Sequence, residues 1–167
     1  MIRMKNILTL ITFILFNFGL FAQTSLDSLL FKKINDYRNS KGLHSWVWSQ
    51  NVWNASKGHN QYLMKLGDCS HFQEGSDSTY SGGDRLLLEN VLWGITRENC
   101  AVTGRYNEET NEEQAEKILL QWIKSPTHHE TLLCTRTKYG AVSTTHTAKF
   151  QWSIGAWWTY STLNVYS

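Results

Sequence analysis

The amphipathic helix that ends at the chain's only proline constrains the fold more than any other part of the sequence. Its apolar residues recur with the spacing of one helix face: Ala115, Ile118, Leu119, Trp122 and Ile123. Thr110 and Glu113 form a capping-box pattern at its start, and Ser125-Pro126 ends it. Because a helix with one apolar face must bury that face, we expect this helix to pack on a core built by the rest of the chain.

The same Ser-Pro pair predicts a second, short helix that begins at Pro126 and runs to about Leu133, because proline is favoured at the first helical position. His128 falls in the first turn of this helix. The positive end of the helix dipole disfavours an imidazolium there, and the neutral ring is the form that binds a metal or accepts a proton. His128 is therefore a candidate functional residue.

Periodicity and end signals divide the rest of the chain into further helices, strands and loops. The predicted elements are a helix from Ser25 to about Gly42, a helix from Ser49 to Gly67, and two strands at Tyr139–Thr145 and Lys149–Trp158 that form a hairpin. Two polar segments, residues 73–84 and residues 96–110, are expected to be loops.

Two chemically versatile side chains lie within apolar patterns. His59 is on the apolar face of the helix after Ser49, and we interpret it as a packing residue, with a ligand role as the alternative. Glu89 lies in the middle of the short apolar segment 86–94. Because burying an unpaired carboxylate is costly, Glu89 is expected to have a partner or to be exposed in a cleft.

The N-terminus has the layout of a secretory signal peptide. Arg3 and Lys5 precede a short apolar segment that ends at Ala22. The alternative is a membrane anchor, but the apolar run is shorter and more interrupted than a bilayer span requires. We predict a signal peptide at residues 1–22, a mature domain at residues 23–167, and a secreted protein in the periplasm or outside the cell.

Composition narrows the class of protein. Apolar residues make up 41% of the chain and charged residues 18%, which is typical of one globular domain rather than of a disordered chain. Without Arg3 and Lys5, 14 of the 16 basic residues remain against 14 acidic ones. A chain with this balance has no general electrostatic attraction to nucleic acid or to a membrane surface, so we expect neither as a partner after signal cleavage.

Four segments, in order, resemble the CAP family, also called SCP-like or cysteine-rich secretory, antigen 5 and pathogenesis-related 1 proteins. The segments are Asn35 to Trp48 with its Gly-Leu and Leu-x-Trp-like connection, Cys69-Ser70-His71, Glu89-Asn90-Val91, and Trp122 to His128 followed by Tyr139-Gly140-Ala141-Val142. The last of these resembles the Trp-x-x-Ser-Pro-x-His and Gly-Val-Gly elements of the family's bacterial branch.

The resemblance implies an α+β fold, a three-layer α–β–α sandwich around a central, mostly antiparallel sheet. It also implies a cleft in which His71, Glu89 and His128 converge. The family's cleft often holds a second glutamate, but this sequence has Lys124 and Ser125 where that residue is expected. Leu88 also replaces the glycine that usually precedes the first glutamate. These departures set this cleft apart from the family's complete tetrad of two histidines and two glutamates.

Export makes disulfides possible, and the chain has three cysteines: Cys69, Cys100 and Cys134. The first expectation is a bridge between Cys69 and Cys134, because each lies near a histidine that the resemblance places at the cleft. The alternative is that all three are buried, unreactive thiols.

Two imidazoles and a carboxylate form a familiar three-ligand set for zinc with an open position. The favoured hypothesis is therefore a binding domain that takes Zn²⁺, another divalent cation or a small polar ligand, with His71 and His128 as the metal ligands and Glu89 assisting.

Two alternatives use the same cleft. One is a metal-assisted or protease-like hydrolase in which Glu89 is the general base. The other is a module that binds a cell-envelope component such as a glycan, with Trp93 or Trp157 as the stacking surface.

Overall fold

The computed structural model describes residues 25–147 and 156–167. The helices are α1 (Ser25–Ser40), α2 (Gln50–Leu66), α3 (Gly82–Leu88), α4 (Asn111–Lys124) and α5 (Pro126–Leu132), and the strands are β1 (Val47–Trp48), β2 (Thr96–Arg105), β3 (Tyr139–His146) and β4 (Trp157–Tyr166). The predicted signal peptide lies outside the described residues. Within them, no helix combines the length and the apolar character that crossing a bilayer requires.

A four-stranded sheet with the order β1-β3-β4-β2 forms the centre of the described structure. β4 pairs antiparallel with both of its neighbours, and only the short β1 runs parallel to β3. Helices α1, α4 and α5 cover one face of the sheet, and α2 and α3 cover the other. The predicted three-layer α–β–α sandwich with a mostly antiparallel sheet is confirmed.

The α1/α4 layer is packed as the sequence periodicity predicts. Trp122 of α4 is fully buried among Leu30 and Ile34 of α1 and Leu163 of β4. Its indole Nε1 also donates to the main-chain oxygen of Cys100 at 3.2 Å, which ties α4 to β2. Burial of several large apolar side chains makes this layer the main hydrophobic core.

The opposite interface, between α2 and the sheet, is held by buried polar groups. Asn60 donates to the main-chain oxygen of Ser143 at 2.7 Å and accepts from the Thr162 hydroxyl at 2.6 Å. Asn164 donates to the Ser56 hydroxyl at 3.1 Å. Because the Asn60 amide and the Thr162 hydroxyl are paired, these polar side chains are compatible with full burial.

The prediction of a loop at residues 96–110 is wrong for most of that segment. Residues 96–105 are β2, an edge strand paired with β4. Its polar side chains have partners outside the strand: Gln114 donates to Thr103 at 2.7 Å, and Asn99 donates to the main-chain oxygen of His128 at 2.9 Å. Partners that lie on other elements are what allow this polar sequence to form a strand.

The hairpin prediction is correct for its first strand, and for its second strand it stops eight residues before the observed end at Tyr166. β3 matches the predicted strand that begins at Tyr139, whereas β4 begins at Trp157. Residues 149–155 of the predicted second strand lie outside the described part of the chain. β4 is hard to recognise in the sequence because several of its buried residues are polar. Thr162 and Asn164, for example, are buried against α2, where they bond to Asn60 and Ser56.

The end of α2 offers a test with a matched control in the same helix. Gly67 adopts φ +78° at the C-cap, and Gly58 lies inside the helix, where a Cβ would have no atom within 4 Å. We expect Gly67→Ala to lower the free energy of unfolding by about 1 kcal/mol, because the left-handed backbone disfavours a Cβ. Gly58→Ala should raise it by up to ~1 kcal/mol. Urea unfolding of both variants measures these changes. A change in unfolding free energy of the same sign in both variants would contradict the prediction.

Candidate functional site

An open pocket of about 460 Å³ lies where α3, β2, α5 and the segment after α2 meet. Its lining residues are His71, Phe72, Ser81, Gly82, Gly83, Trp93, Thr96, Arg97, Glu98, Thr127, His128, Glu130 and Thr131. Two of the three predicted site residues, His71 and His128, are among them. The pocket therefore combines two imidazoles, carboxylates and aromatic side chains.

Two charged side chains, Glu98 and Arg85, hold His71 in place. Nδ1 of His71 donates to Oε1 of Glu98 at 3.0 Å, and Nη2 of Arg85 donates to Oε2 of the same carboxylate at 2.6 Å. Arg85 also donates to the main-chain oxygen of His71 at 3.2 Å. Because Glu98 occupies Nδ1, the Nε2 atom of His71 is the nitrogen left for a ligand.

Burial differs strongly among Arg85, Glu98 and His71. The side chains of Arg85 and Glu98 are 3% and 8% exposed, whereas that of His71 is 48% exposed. Burial alone would raise the pKa of Glu98, but the hydrogen bond from His71 and the charge of Arg85 outweigh it and lower the pKa to about 2. The hydrogen bond to Glu98 raises the pKa of His71 above its ordinary value.

His128 approaches His71 from the other side of the pocket. The centroids of the two rings are 6.3 Å apart. α5 presents His128 from its first turn, as predicted, and the bond from Asn99 to the His128 main chain fixes α5 against β2. Burial, and then the neighbouring His71, lower the pKa of His128, so its ring is neutral at neutral pH. Nδ1 of His128 is buried without a hydrogen-bond partner among the described residues.

The structure does not bring Glu89 to the two histidines. Glu89 is the C-cap of α3, and it contacts α2 instead of facing the pocket. Its Oε2 accepts from Asn54 at 3.1 Å, and its main-chain oxygen accepts from Asn51 at 2.9 Å. Its side chain lines a separate depression with Asn54, Ala55 and Gly58. The expected convergence of Glu89 with the histidines is thus corrected, because the end of α3 turns it toward α2.

Glu98 is the carboxylate that sequence reasoning missed. The signal that could have found it is a second Glu-Asn pair, Glu98-Asn99, which follows Glu89-Asn90 along the chain. A loop at 96–110, as the sequence predicts, gives this pair no fixed position relative to the histidines. In β2, alternation sends Glu98 and Cys100 to one face of the sheet and Asn99 to the other.

The cysteines also differ from expectation. All three lie in the described part of the chain and are free thiols, so the expected bridge between Cys69 and Cys134 is absent. Cys69 is exposed and Cys100 is buried on β2. Cys134 is buried near Arg38, which donates to its main-chain oxygen at 3.0 Å.

Behind the pocket, His59 is fully buried, and both of its ring nitrogens have partners. Nε2 donates to the main-chain oxygen of Ser70 at 2.7 Å, and Nδ1 accepts from the Gln73 amide at 2.9 Å. This is the arrangement that a packing histidine requires.

Several solved bacterial structures share this fold. An extracellular protein containing an SCP domain from Bacillus anthracis matches with TM-score 0.62 and 20% identity over 84% of this chain and 40% of its own. An outer surface protein of Borrelia burgdorferi matches with TM-score 0.62 and 16% identity over 87% of this chain and 97% of its own. This chain thus spans about 40% of the length of the Bacillus protein and nearly the whole Borrelia protein.

A cysteine-rich secretory protein from Staphylococcus aureus matches with TM-score 0.55 and 14% identity over 89% of this chain and 41% of its own. No curated protein matches the sequence significantly. The family model described as the cysteine-rich secretory protein family, CAP, matches residues 31–160. That match takes in α2 to α5, β1 to β3 and every residue of the pocket, and the chain belongs to the CAP family.

Proposed function

We propose that this chain is an exported CAP-domain protein whose pocket binds a divalent cation through His71 and His128. The observation that carries the proposal is the Arg85–Glu98–His71 chain, which fixes one imidazole 6.3 Å, ring to ring, from a second imidazole in the same open pocket. Export rests on the predicted signal peptide at residues 1–22.

The contact between His71 and Glu98 favours metal binding through Nε2. Histidines that bind metals commonly donate their other ring N–H to a carboxylate, which orients the ring and makes the ligating nitrogen more basic. Nδ1 of His71 makes this bond at 3.0 Å, and Arg85 holds the second oxygen of the carboxylate. Glu98 is thus a positioning residue rather than a direct ligand of a cation in the pocket.

The second imidazole is available in the form that a cation needs. Burial lowers the pKa of His128, so a proton does not compete for its nitrogens near neutral pH. Glu130 lines the same pocket and adds a carboxylate at its rim. Two imidazoles with an acidic rim suit Zn²⁺ better than Mg²⁺ or Ca²⁺, which prefer oxygen ligands.

The geometry gives less support to a hydrolase with a carboxylate base. Glu89 lies outside the pocket, and Glu98, with its pKa of about 2, is a weak base at neutral pH. A cell-envelope ligand keeps one specific point of support, because Trp93 is 38% exposed and lines the pocket. Such a ligand would be a small polar group that reaches the histidines beside this indole.

Isothermal titration of the purified protein with Zn²⁺ tests the proposal. We expect His128→Ala and His71→Ala/His128→Ala each to weaken a zinc-binding event at least about tenfold, by analogy with the loss of groups that support metal sites. The matched control is His44→Ala/His129→Ala, since these histidines contact Thr137 and Tyr37 and do not line the pocket. Equal zinc affinity in the wild type and the His128→Ala variant would refute the proposal.

A further inference from the structure

Three side chains of the types that ligate metals lie together beneath the floor of the pocket, at the contact between α2 and β2. They are His59, Glu98 and Cys100, and one donor atom of each lies within 4.8 Å of the other two. Oε1 of Glu98 is 3.8 Å from Nε2 of His59 and 3.5 Å from Sγ of Cys100. All three side chains are almost completely buried.

These separations are close to those of donors around a tetrahedral metal. Zinc bonds of about 2.0–2.3 Å at tetrahedral angles place neighbouring donor atoms roughly 3.3–3.8 Å apart. The two edges of the triangle that meet at Glu98, 3.8 and 3.5 Å, fall in this range. A cation at the centre of the triangle therefore needs only small movements of the three side chains.

We propose that His59, Glu98 and Cys100 form a buried site for a thiophilic divalent cation of the zinc class, separate from the cation site in the pocket. An imidazole, a carboxylate and a thiolate are all established zinc ligands, and three protein ligands leave one position of the tetrahedron for a further donor. The thiolate disfavours Mg²⁺ and Ca²⁺, which take oxygen ligands. The site goes beyond the proposed function, because neither His59 nor Cys100 takes part in it.

The surroundings of the triangle support all three ligands. Arg85 binds Oε2 of Glu98 at 2.6 Å, and Oε1, which accepts from Nδ1 of His71 at 3.0 Å, also faces His59 and Cys100. The Gln73 amide lies 2.9 Å from Nδ1 of His59. Because an amide can present either its oxygen or its nitrogen, Gln73 can accept from Nδ1–H once Nε2 binds a cation.

Binding is coupled to proton release and to the loss of one hydrogen bond. Burial and the nearby Glu98 raise the pKa of the Cys100 thiol, so this group is protonated without a cation. Each cation bound displaces one proton from Cys100 to solvent as the metal–sulfur bond forms. The ring proton of His59 moves from Nε2 to Nδ1, and the bond from Nε2 to the Ser70 oxygen, now 2.7 Å, is exchanged for the metal bond.

Cobalt(II) is the probe for the experiment, because it occupies zinc sites and absorbs light where zinc does not. A Co²⁺–thiolate bond adds a near-ultraviolet charge-transfer band that histidine and carboxylate ligands alone do not produce. We expect the reduced, chelator-treated protein to develop this band on titration with Co²⁺ and to lose it on addition of equimolar Zn²⁺. A wild-type protein without the band would overturn the proposal.

The other cysteines provide matched controls. The band should vanish in Cys100→Ser and persist in Cys69→Ser and Cys134→Ser, and His59→Gln should weaken Co²⁺ binding at least about tenfold. A band that persists in Cys100→Ser, or that vanishes instead in Cys69→Ser, would overturn the assignment. Melting of each variant without metal identifies any loss of fold, and the wild-type spectrum tests the site independently of every variant.

His128→Ala separates this site from the pocket. The variant lacks a ligand of the proposed pocket site and no residue of the buried triangle, so the thiolate band should remain at full strength. A band lost in His128→Ala would show a single shared site and overturn the proposal of two. The pocket proposal is tested separately in protein that lacks the thiolate ligand. The zinc affinities of Cys100→Ser and Cys100→Ser/His128→Ala are compared, and equal affinities would refute the pocket site alone.

Discussion

Replacing Arg85 with alanine is expected to lower the free energy of unfolding by about 3–5 kcal/mol, the usual cost of removing one partner of a buried ion pair. Its guanidinium binds Oε2 of Glu98 at 2.6 Å, and both side chains are more than nine-tenths buried. Without Arg85, Glu98 loses its buried ion-pair partner and keeps the hydrogen bond from His71. The main-chain oxygens of Thr79 and Tyr80, which Arg85 also binds, lose a donor.

Arg97→Ala is the matched control, since Arg97 lies next to Glu98 in sequence but pairs at the surface. Its partner Glu130 is 70% exposed, and the two charged atoms are 3.4 Å apart. A pair of this kind contributes at most ~1 kcal/mol. Urea unfolding at neutral pH measures both variants, and a comparable loss from the two substitutions would show that burial of the Arg85–Glu98 pair does not matter.

The second large effect concerns acid pH. The pKa of Glu98 is lowered from 4.5 to about 2 in the folded protein, so the folded state binds fewer protons than the unfolded state between these values. The stability that Glu98 contributes is therefore fully present above about pH 4.5 and is lost as the pH falls toward 2. The shift corresponds to roughly 3 kcal/mol for this buried group.

Comparison with Glu98→Gln isolates this contribution. At neutral pH the variant should be less stable than the wild type by about 3 kcal/mol, because the amide carries no charge to compensate Arg85. As the pH is lowered, the difference in unfolding free energy should shrink and approach zero near pH 2. Glu130→Gln is the control, because the exposed Glu130 side chain should leave the wild-type acid profile unchanged. A gap between wild type and Glu98→Gln that is constant with pH would contradict the role assigned to Glu98.

The helices show what local sequence information can determine. α4 begins after Thr110 with the predicted capping box, and α2 ends at Gly67 as predicted, with a left-handed cap. The proline at position 126 starts α5 and puts His128 in its first turn. These features depend on residues three or four positions apart, so a single sequence is enough to predict them.

Glu89 and Glu98 show where local information fails. Both precede an asparagine, and only one of them lies beside His71. Glu89 follows the last turn of α3, where Asn51 and Asn54 of α2 bind it. Glu98 lies on an edge strand whose polar residues gave no recognisable β pattern, so its proximity to His71 could not be predicted from its neighbours.

The sequence by itself determined α2, α4 and α5 to within about two residues, because short-range periodicity and end signals carry that information. Its resemblance to the CAP family implied that His71 and His128 share a cleft, whereas α3, which begins inside the predicted loop at residues 73–84, was not predicted. The tertiary structure alone decided which carboxylate joins the two histidines. Pairing of Glu98 with Asn164 across β2 and β4 sets the direction of the Glu98 side chain, and Arg85 supplies the buried charge that keeps it ionised. Contacts between residues so distant in sequence follow from the packing of the whole sheet, and no local pattern encodes them.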